Sequence, residues 1–259
     1  MSALHPAAHP GDPEITRLSP TRWQAVADGR VLGHADAARR PDGRTFVSID
    51  SWDDTVFDRL AAAILNDLPA PLHTVVDELE ADLRSRWEHA GFTTRRREWE
   101  YLIPADPQHI GLGSAAVPAG VTLLPFGAAQ QVPLRAAYAA IRAEIEATAG
   151  WDTMPAEIID RPFDCGHFAV AVSDQEYVGL LRTATRRKHA RIELLAVRAA
   201  HRRRGIARAL LAQALDALHR SGIDAVSAFV DETATAAIAL FDSLGGARRA
   251  GSNLELVLR

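Results

Sequence analysis

The sequence predicts an α/β (α+β) protein built from two tandem domains, and three observations support this fold class. The chain has 259 residues, of which 47% are hydrophobic and 24% charged, so it can form one large core or two small ones. Apolar stretches of strand length alternate with stretches whose apolar residues recur at helical spacing. The same order of stretches occurs on both sides of a segment rich in proline and glycine.

Proline and glycine mark the expected boundaries of the two domains. Residues 1–14 contain three prolines among small and polar neighbours, which predicts a disordered leader. A second interruption, at 104–120, ends every periodic pattern. We therefore expect a first domain over 15–104, a linker over 105–120 and a second domain over 121–259.

Each half contains the same series of elements: two strands joined by a turn, a third strand, a helix, a strand ending in Asp-Glu, a helix that stops at glycine, and a final strand. The matching segments are 26–33 with 172–179, 44–50 with 191–197, 56–65 with 206–215, 72–78 with 225–232, 87–92 with 241–246, and 94–103 with 252–258. Glycine at the end of a helix suits a left-handed cap. Chance is the alternative, because strands and helices alternate in many α/β domains, but the shared endings favour a duplication.

Composition limits the class of protein. The first residues show neither a basic segment nor a hydrophobic one, and longer apolar stretches are interrupted by charge, so we expect a soluble cytoplasmic protein without a membrane segment. Cys165 is the only cysteine, which excludes an intrachain disulfide and a cysteine-based zinc site. Its expected role is that of a small packed side chain, and a catalytic thiol is the alternative.

The charge is unevenly distributed along the chain. Residues 1–110 hold 18 acidic and 12 basic side chains, whereas residues 111–259 hold 15 and 17, within a formal net charge of -4. A basic excess in the second half suits a polyphosphate ligand there. We expect no nucleic-acid partner, because the overall sign is wrong and no aromatic residues are interleaved with the arginines.

An arginine-rich loop in the second half lies between a strand, 192–197, and a helical pattern over 207–218. The first turn of a helix presents unpaired N–H groups and the positive end of the dipole, so it favours an anion. Gly205 lets the backbone approach a phosphate, and Ala207 keeps the next contact uncrowded. The alternative is that Arg202–Arg204 form only a solvated charge run. Basic residues at a helix N-terminus oppose the dipole unless an anion binds, so the pattern favours a pyrophosphate site.

These residues resemble a known family. Leu195-Ala-Val197, a short spacer and Arg202-x-x-Gly205-x-Ala207 before an amphipathic helix resemble the acetyl-CoA signature of the GNAT N-acetyltransferase superfamily. The later stretch 237–245 resembles the second recognisable stretch of that family. The resemblance covers 165–259 and implies a mixed, twisted sheet flanked by helices in each half, with the strands separating beside Leu195–Val197.

The resemblance also implies a co-substrate, acetyl-CoA, and no metal. Backbone groups of the strand would bind the pantetheine arm, and amides of the loop and first helical turn would hold the pyrophosphate. The expected cofactor-binding residues are Leu195, Ala196, Val197, Arg202, Arg203, Arg204, Gly205, Ile206, Ala207 and Arg208. The implied reaction is direct attack of a neutral amine on the thioester, without a covalent enzyme intermediate.

Such a reaction needs a general base for the incoming ammonium and often an acid for the departing thiolate. Glu193 is the candidate base, since it lies two and four residues before Leu195 and Val197 and is expected on the same face of the strand. An exposed or salt-bridged carboxylate is the alternative.

The usual acid is missing from this sequence. Phe241 stands where many family members have tyrosine, and Ala234 stands where asparagine is frequent. The substitutes that the sequence offers are Tyr177, Cys165 and His201, each of which has packing or surface exposure as its alternative role.

The first half differs at the position of the loop. Residues 51–57 are shorter, lack the glycine and carry Asp53 and Asp54, whose charge would repel a phosphate. The chain here resembles tandem acetyltransferases with one degenerate half. We expect the first half to have lost acetyl-CoA binding and to serve as a structural or substrate-shaping partner.

The acceptor is expected to be the amine of a small molecule. The acidic segment 138–164, which includes Glu144, Glu146, Glu157 and Asp160, corresponds to the region that covers the acceptor in the family, and its charge suits a cationic amine. A solvated acidic face is the alternative. Two other functions stay open, a non-catalytic acetyl-CoA sensor or assembly module and a protein N-acetyltransferase, and so does a homo-oligomer.

Overall fold

The computed structural model describes residues 12–40, 42–106, 108–112, 116–154, 163–186 and 188–259. The leader expected over 1–14 falls outside these ranges as far as residue 11, and the first strand begins at Glu14. The chain forms two compact units. Unit 1 contains the residues up to Arg96 together with Asn253–Arg259, and unit 2 contains Arg97–Ser252.

Strands and helices alternate along the described chain. In chain order they are β1 (Glu14–Ser19), β2 (Arg22–Ala27), β3 (Arg30–Arg39), β4 (Thr45–Ser51), α1 (Asp54–Asp67), β5 (Leu72–Asp77), α2 (Ala81–His89), β6 (Thr93–Pro104), β7 (Val121–Leu124), α3 (Gln131–Thr148), β8 (Phe168–Ser173), β9 (Glu176–Arg186), β10 (His189–Val197), α4 (Ile206–Arg220), β11 (Ala225–Asp231), α5 (Thr235–Asp242) and β12 (Arg248–Leu258). Single turns of 3₁₀ helix occur at Trp151–Thr153, Cys165–His167 and Ala199–His201.

Unit 1 is a mixed sheet in the order β1-β2-β3-β4-β5-β12, with β4 and β5 parallel and their other neighbours antiparallel. Its core lies between this sheet and α1, whose Val56, Leu60 and Ile64 recur at helical spacing and are buried. Trp87 of α2 packs edge-on against Phe57, with ring centroids 5.0 Å apart.

Unit 2 repeats the same order with other strands, β7-β8-β9-β10-β11-β6, in which β10 and β11 are the parallel pair. Two clusters of buried residues lie in this unit. The α4 cluster includes Ile192, Val197, Ile206, Leu210 and Phe241, and the α3 cluster includes Leu134, Ile141, Phe168, Leu180 and Leu194. The predicted fold, two tandem domains of mixed sheet flanked by helices, is confirmed.

The units divide the chain differently from the expected domains. The paired part of β6, Glu98–Pro104, joins β11 in unit 2, and Asn253–Leu258 of β12 joins β5 in unit 1. Each unit thus takes its sixth strand from the other repeat, because Tyr101 and Leu256 are buried with the cores of units 2 and 1 respectively. The two units thus divide the chain after Arg96 and after Ser252, whereas the expected domains divide it around the segment 105–120.

The segment 105–120 was expected to be a linker. Where the structure describes it, Ala105, Ile110 and Leu112 are buried in the α4 cluster, so these residues belong to the core of unit 2. The described part of this segment therefore has an irregular backbone and contributes to the core.

Two glycines support the predicted duplication. A Cβ on Gly33 of β3 would lie 3.1 Å from Val56 Cγ1 of α1, and a Cβ on Gly179 of β9 would lie 3.1 Å from Ile206 Cγ2 of α4. In both units the helix that follows the third strand of the repeat, α1 or α4, therefore lies against the sheet at a glycine, where a Cβ would be crowded.

Candidate active site

The parallel strands β10 and β11 separate part-way along their length. Their residues pair from His189 with Ala225 to Ile192 with Ala228. Beyond this point β10 continues to Val197 and β11 to Asp231, but the two strands no longer pair with each other. On its other side β10 stays paired with β9. One edge of β10 beyond Ile192 therefore offers main-chain groups that no strand of the described residues uses, as the family resemblance implies.

A β-bulge lies at the point of separation. In the pairing of β9 with β10, Ile192 is opposite Thr183 and Leu194 is opposite Arg182, so Glu193 is an extra residue without an opposite partner. After the bulge Leu195 packs against the α4 cluster and Leu194 belongs to the α3 cluster.

Glu193 is directed to the α3 side of the sheet. Its side chain is buried, with the residue 8% exposed, and Oε2 lies 3.1 Å from Nε of Arg182. The guanidinium of Arg182 lies 5.5 Å from the ring centroid of Phe168, a member of the α3 cluster. The expectation that Glu193 shares a face with Leu195 and Val197 is wrong, because the bulge shifts the alternation of side chains by one residue.

The loop before α4 has the backbone shape of an open helix N-terminus. Arg203 and Gly205 have φ of 60° and 84°, in the left-handed region that glycine favours. Gly205 is the N-cap and supplies no side-chain oxygen to the first amides of the helix. Among the residues that the structure describes, a Cβ at Gly205 would meet only Pro118 Cγ, at 3.7 Å, so those residues leave room for a ligand at this backbone.

The start of the loop is fixed by hydrogen bonds. The backbone N–H of Arg198 donates to the carbonyl of Val178 at 2.8 Å, and Nε of Arg202 donates to the carbonyl of Val197 at 3.1 Å. The carboxylate of Glu144, on α3, accepts from Arg198 and from the residue after it. Burial alone would raise the pKa of Glu144, but these hydrogen bonds together lower it.

The structure places the ten expected cofactor residues along one continuous path from β10 to α4. Side chains of Val197 and Ile206 are buried in the α4 cluster, those of Leu195, Ala196, Ala207 and Arg208 are half-buried, and Arg202–Gly205 are exposed. Main-chain groups are therefore what the buried members can offer a ligand.

Residues 136–245 match the family model described as the acetyltransferase (GNAT) family. The chain carries a GNAT acetyltransferase domain. The matched range lies within unit 2 and contains the bulge, the loop and α5. No curated protein matches the chain.

Solved structures share the fold over nearly the whole chain. A GCN5-related N-acetyltransferase from Sphaerobacter thermophilus is 19% identical with a TM-score of 0.65, over 94% of this chain and 82% of that one. A tandem GNAT protein from the clavulanic acid biosynthesis pathway is 16% identical with a TM-score of 0.65, over 96% and 84%. A GCN5-related N-acetyltransferase from Kribbella flavida is 15% identical with a TM-score of 0.60, over 95% and 89%. These likenesses establish the tandem GNAT fold.

The position of the usual acid in the GNAT domain is apolar. Phe241 is 4% exposed, and its ring centroid lies 5.2 Å from that of Tyr101 on β6. The hydroxyl of Tyr101 donates to Oδ1 of Asp242 at 2.7 Å and accepts from Nε of Arg249 at 3.0 Å. Burial and the bond to Asp242 raise the pKa of Tyr101. Sequence reasoning missed Tyr101, since nothing local shows that β6 pairs with β11.

The three residues considered as substitutes for the acid, Tyr177, Cys165 and His201, have different neighbours. The hydroxyl of Tyr177 accepts from the backbone N–H of Gln130 at 3.1 Å and so holds the start of α3. Cys165 is half-buried against the α3 cluster. His201 lies in the loop before α4, with Nδ1 3.3 Å from Nη1 of Arg204.

In the described part of the acidic segment expected over the acceptor, Glu144 and Glu146 accept hydrogen bonds from other residues of the protein. Glu144 accepts from Arg198 in the loop before α4, and Oε2 of Glu146 accepts from the backbone N–H of Trp151 at 2.7 Å. Glu157 and Asp160 lie outside the described residues. The ring of Tyr138 is edge-on to Trp151, Phe163 and Phe168, which makes this wall of the GNAT domain aromatic.

In unit 1 the N-terminus of the equivalent helix, α1, is capped by the carboxylate of Asp53. Only Trp52 and Asp53 separate β4 from α1, and Oδ1 of Asp53 accepts from the backbone N–H of Val56 at 3.0 Å. Asp54 adds a second negative charge in the first turn. An anion at this terminus would meet two carboxylates.

Neither a membrane span nor a metal centre is found in the part of the chain that the structure describes. No helix there is long and apolar enough to cross a membrane, and no group of His, Cys, Asp and Glu residues there could hold a metal ion.

Proposed function

We propose that the GNAT domain transfers an acetyl group from acetyl-CoA to the amine of a small-molecule acceptor. The observation that carries this proposal is the glycine-capped N-terminus of α4 beside the free edge of β10. A pyrophosphate fits the amides at the helix start, and an extended pantetheine arm fits the unpaired main-chain groups of the strand. The cytoplasmic location that the composition predicts is part of the proposal.

In this proposal, cofactor binding is divided between strand and loop. Main-chain groups of Leu195, Ala196 and Val197 bind the pantetheine arm, and the amides of 203–208 bind the pyrophosphate. Ile206 acts only through its amide, since its side chain is buried. Arg202 shapes the loop through its bond to Val197, while the exposed Arg203 and Arg204 add positive charge.

Glu193 is the proposed general base. It lies at the bulge where the strands separate, and Arg182 holds its carboxylate in place. The ammonium of the acceptor gives a proton to Glu193, directly or through water. The neutral amine then attacks the thioester carbonyl, a C–N bond forms, the C–S bond breaks and CoA leaves as the thiolate, while the nitrogen gives up its second proton to water.

Unit 1 is proposed to have lost acetyl-CoA binding and to act as a structural or substrate-shaping partner. The support is the Asp53 carboxylate, which already accepts from the amide that a phosphate would use. A cationic acceptor and a homo-oligomer stay open within the proposal.

Calorimetric titration tests whether the protein binds acetyl-CoA, which both candidate functions require. Gly205→Glu should abolish binding, because a carboxylate replaces the space for the phosphate, whereas Gly205→Ala should retain measurable affinity. Gly222→Glu is the matched control, since Gly222 also has a φ of 84° but lies beyond the other end of α4. No binding by wild type, or equal binding by Gly205→Glu, contradicts the proposal.

A non-catalytic acetyl-CoA sensor or assembly module is the second candidate, favoured by the buried Phe241 in place of a proton donor. A thiol-release assay separates the two functions. The panel contains amino sugars, amino acids, diamines and peptides with free N-termini or lysines, so it also detects a protein N-acetyltransferase. Tight acetyl-CoA binding without thiol release across the panel favours the sensor.

A further inference from the structure

Glu144 connects α3 to the loop that precedes α4. Its Oε1 accepts from Nε of Arg198 at 2.6 Å, and its Oε2 accepts from the backbone N–H of Ala199 at 2.7 Å. The two bonded residues are 54 and 55 positions away in the sequence. Both oxygens of one carboxylate are thus used by two consecutive residues directly after β10.

The remainder of the loop depends on that starting point. Arg198 and Ala199 set the direction in which the chain leaves β10, and the bond from Arg202 to the carbonyl of Val197 then closes the first turn. The left-handed residues Arg203 and Gly205 follow immediately. A shift at the start would move every amide that is proposed to meet the pyrophosphate.

We propose that Glu144 is a positioning residue for acetyl-CoA, which it helps to bind by holding Arg198 and Ala199. This inference rests on the proposed function, since it concerns the same loop. Hydrogen bonds to an ionised group are about twice as strong as neutral ones, so the two bonds to Glu144 restrain the loop before the cofactor binds. Without it, the cost of ordering the loop falls on cofactor binding.

Two variants and one control test the role. Glu144→Ala removes both bonds, and Glu144→Gln keeps the size of the side chain and its carbonyl oxygen but removes the charge. Asp216→Asn is the matched control, because Asp216 also pairs with an arginine, Arg220, but does so within α4 and near its far end. Titration with acetyl-CoA should show a dissociation constant raised about tenfold in Glu144→Ala, less in Glu144→Gln and within about twofold in Asp216→Asn.

A kinetic measurement separates positioning from mere stabilisation. For an amine of the panel that is turned over, Glu144→Gln should raise KM for acetyl-CoA several-fold and leave kcat within about twofold. A variant that only unfolds more easily loses active protein, so its kcat falls at an unchanged KM. That second pattern overturns the inference.

Hydrogen exchange supplies a readout that needs no acceptor. In the protein without cofactor, the amides of residues 199–206 should exchange faster in Glu144→Gln than in wild type, and not in Asp216→Asn. If wild type fails to bind acetyl-CoA, the proposed function falls and takes this inference with it. If wild type binds while folded Glu144→Ala binds equally well, the inference alone is overturned.

Discussion

Oε2 of Glu193 lies 3.1 Å from Nε of Arg182, on the face of the sheet opposite to the side chains of Leu195 and Val197. The pair is buried at the point where β10 separates from β11. A buried ion pair can hold a catalytic carboxylate or serve only the fold, and the two roles give different results on substitution.

Glu193→Gln tests the catalytic role. We expect kcat to fall about 10²–10⁴-fold, because the amide accepts no proton, while the dissociation constant for acetyl-CoA stays unchanged. Thiol release with a turned-over amine and calorimetric titration measure the two quantities.

Arg182→Met is the companion variant. It leaves the Glu193 carboxylate buried without its partner, which should destabilise the protein by ~3–5 kcal/mol in urea unfolding. If Glu193 serves only the ion pair, Glu193→Gln will lower stability but retain kcat, and the catalytic assignment fails.

Substitution of the two glycines beneath α1 and α4 should have different effects on acetyl-CoA affinity. A Cβ at Gly179 would lie 3.0 Å from Leu210 Cδ1, so Gly179→Ala should displace α4, cost ~1–3 kcal/mol and weaken acetyl-CoA binding. A Cβ at Gly33 would lie 2.9 Å from the carbonyl oxygen of Asp50, so Gly33→Ala should be similarly destabilising but should leave acetyl-CoA affinity unchanged. Equal loss of affinity in both variants contradicts the assignment of the cofactor to unit 2.

Glu255 should dominate the acid sensitivity of unit 1. It is 1% exposed and accepts hydrogen bonds from Arg44, His73, Arg95 and Arg96. Burial would raise its pKa, but the bond to His73 and the charges of Arg96 and Arg44 lower the pKa from 4.5 to about 2. A lowered pKa gives stability that is present above about pH 4.5 and is lost as the pH falls towards 2.

The contribution lost over that range is ~3 kcal/mol, from about 1.4 kcal/mol for each pKa unit. Glu255→Gln should therefore be destabilised near pH 7 and show a flatter dependence of unfolding free energy between pH 5 and 2. Urea unfolding at several pH values measures this. An unchanged slope in the variant contradicts the assignment.

Unit 1 should bind no acetyl-CoA, even when its helix cap is removed. Asp53→Ala should cost about 1 kcal/mol because the cap to Val56 is lost, whereas Asp53→Asn should cost less because asparagine also caps helices. Wild type and both variants should bind one equivalent of acetyl-CoA per chain. A second equivalent in any of them shows that unit 1 retains a cofactor site.

Local patterns predicted the parts of the molecule that depend on neighbouring residues. Gly205 follows a strand and precedes an amphipathic helix, so the sequence located the loop and the glycine cap that the structure shows. The order of elements in the two repeats was equally visible, since periodicity and turn residues are local signals.

Features that depend on residues distant in the sequence could not be predicted from local patterns. Glu193 is one extra residue in a strand that buries apolar residues on both faces of the sheet. No alternation of polar and apolar residues could therefore reveal the bulge. β6 pairs with β11, and β12 pairs with β5. The residues of a strand do not by themselves indicate which sheet the strand joins, so these pairings could not be predicted. The contact of Glu144 with Arg198 joins residues 54 positions apart.

A structure with acetyl-CoA bound would show directly whether the cofactor lies at α4. We predict the pyrophosphate oxygens at about 2.7–3.2 Å from backbone nitrogens within 203–208, with the pantetheine arm along the unpaired edge of β10 beyond Ile192. Acetyl-CoA bound at the N-terminus of α1, or away from both helices, would contradict the account.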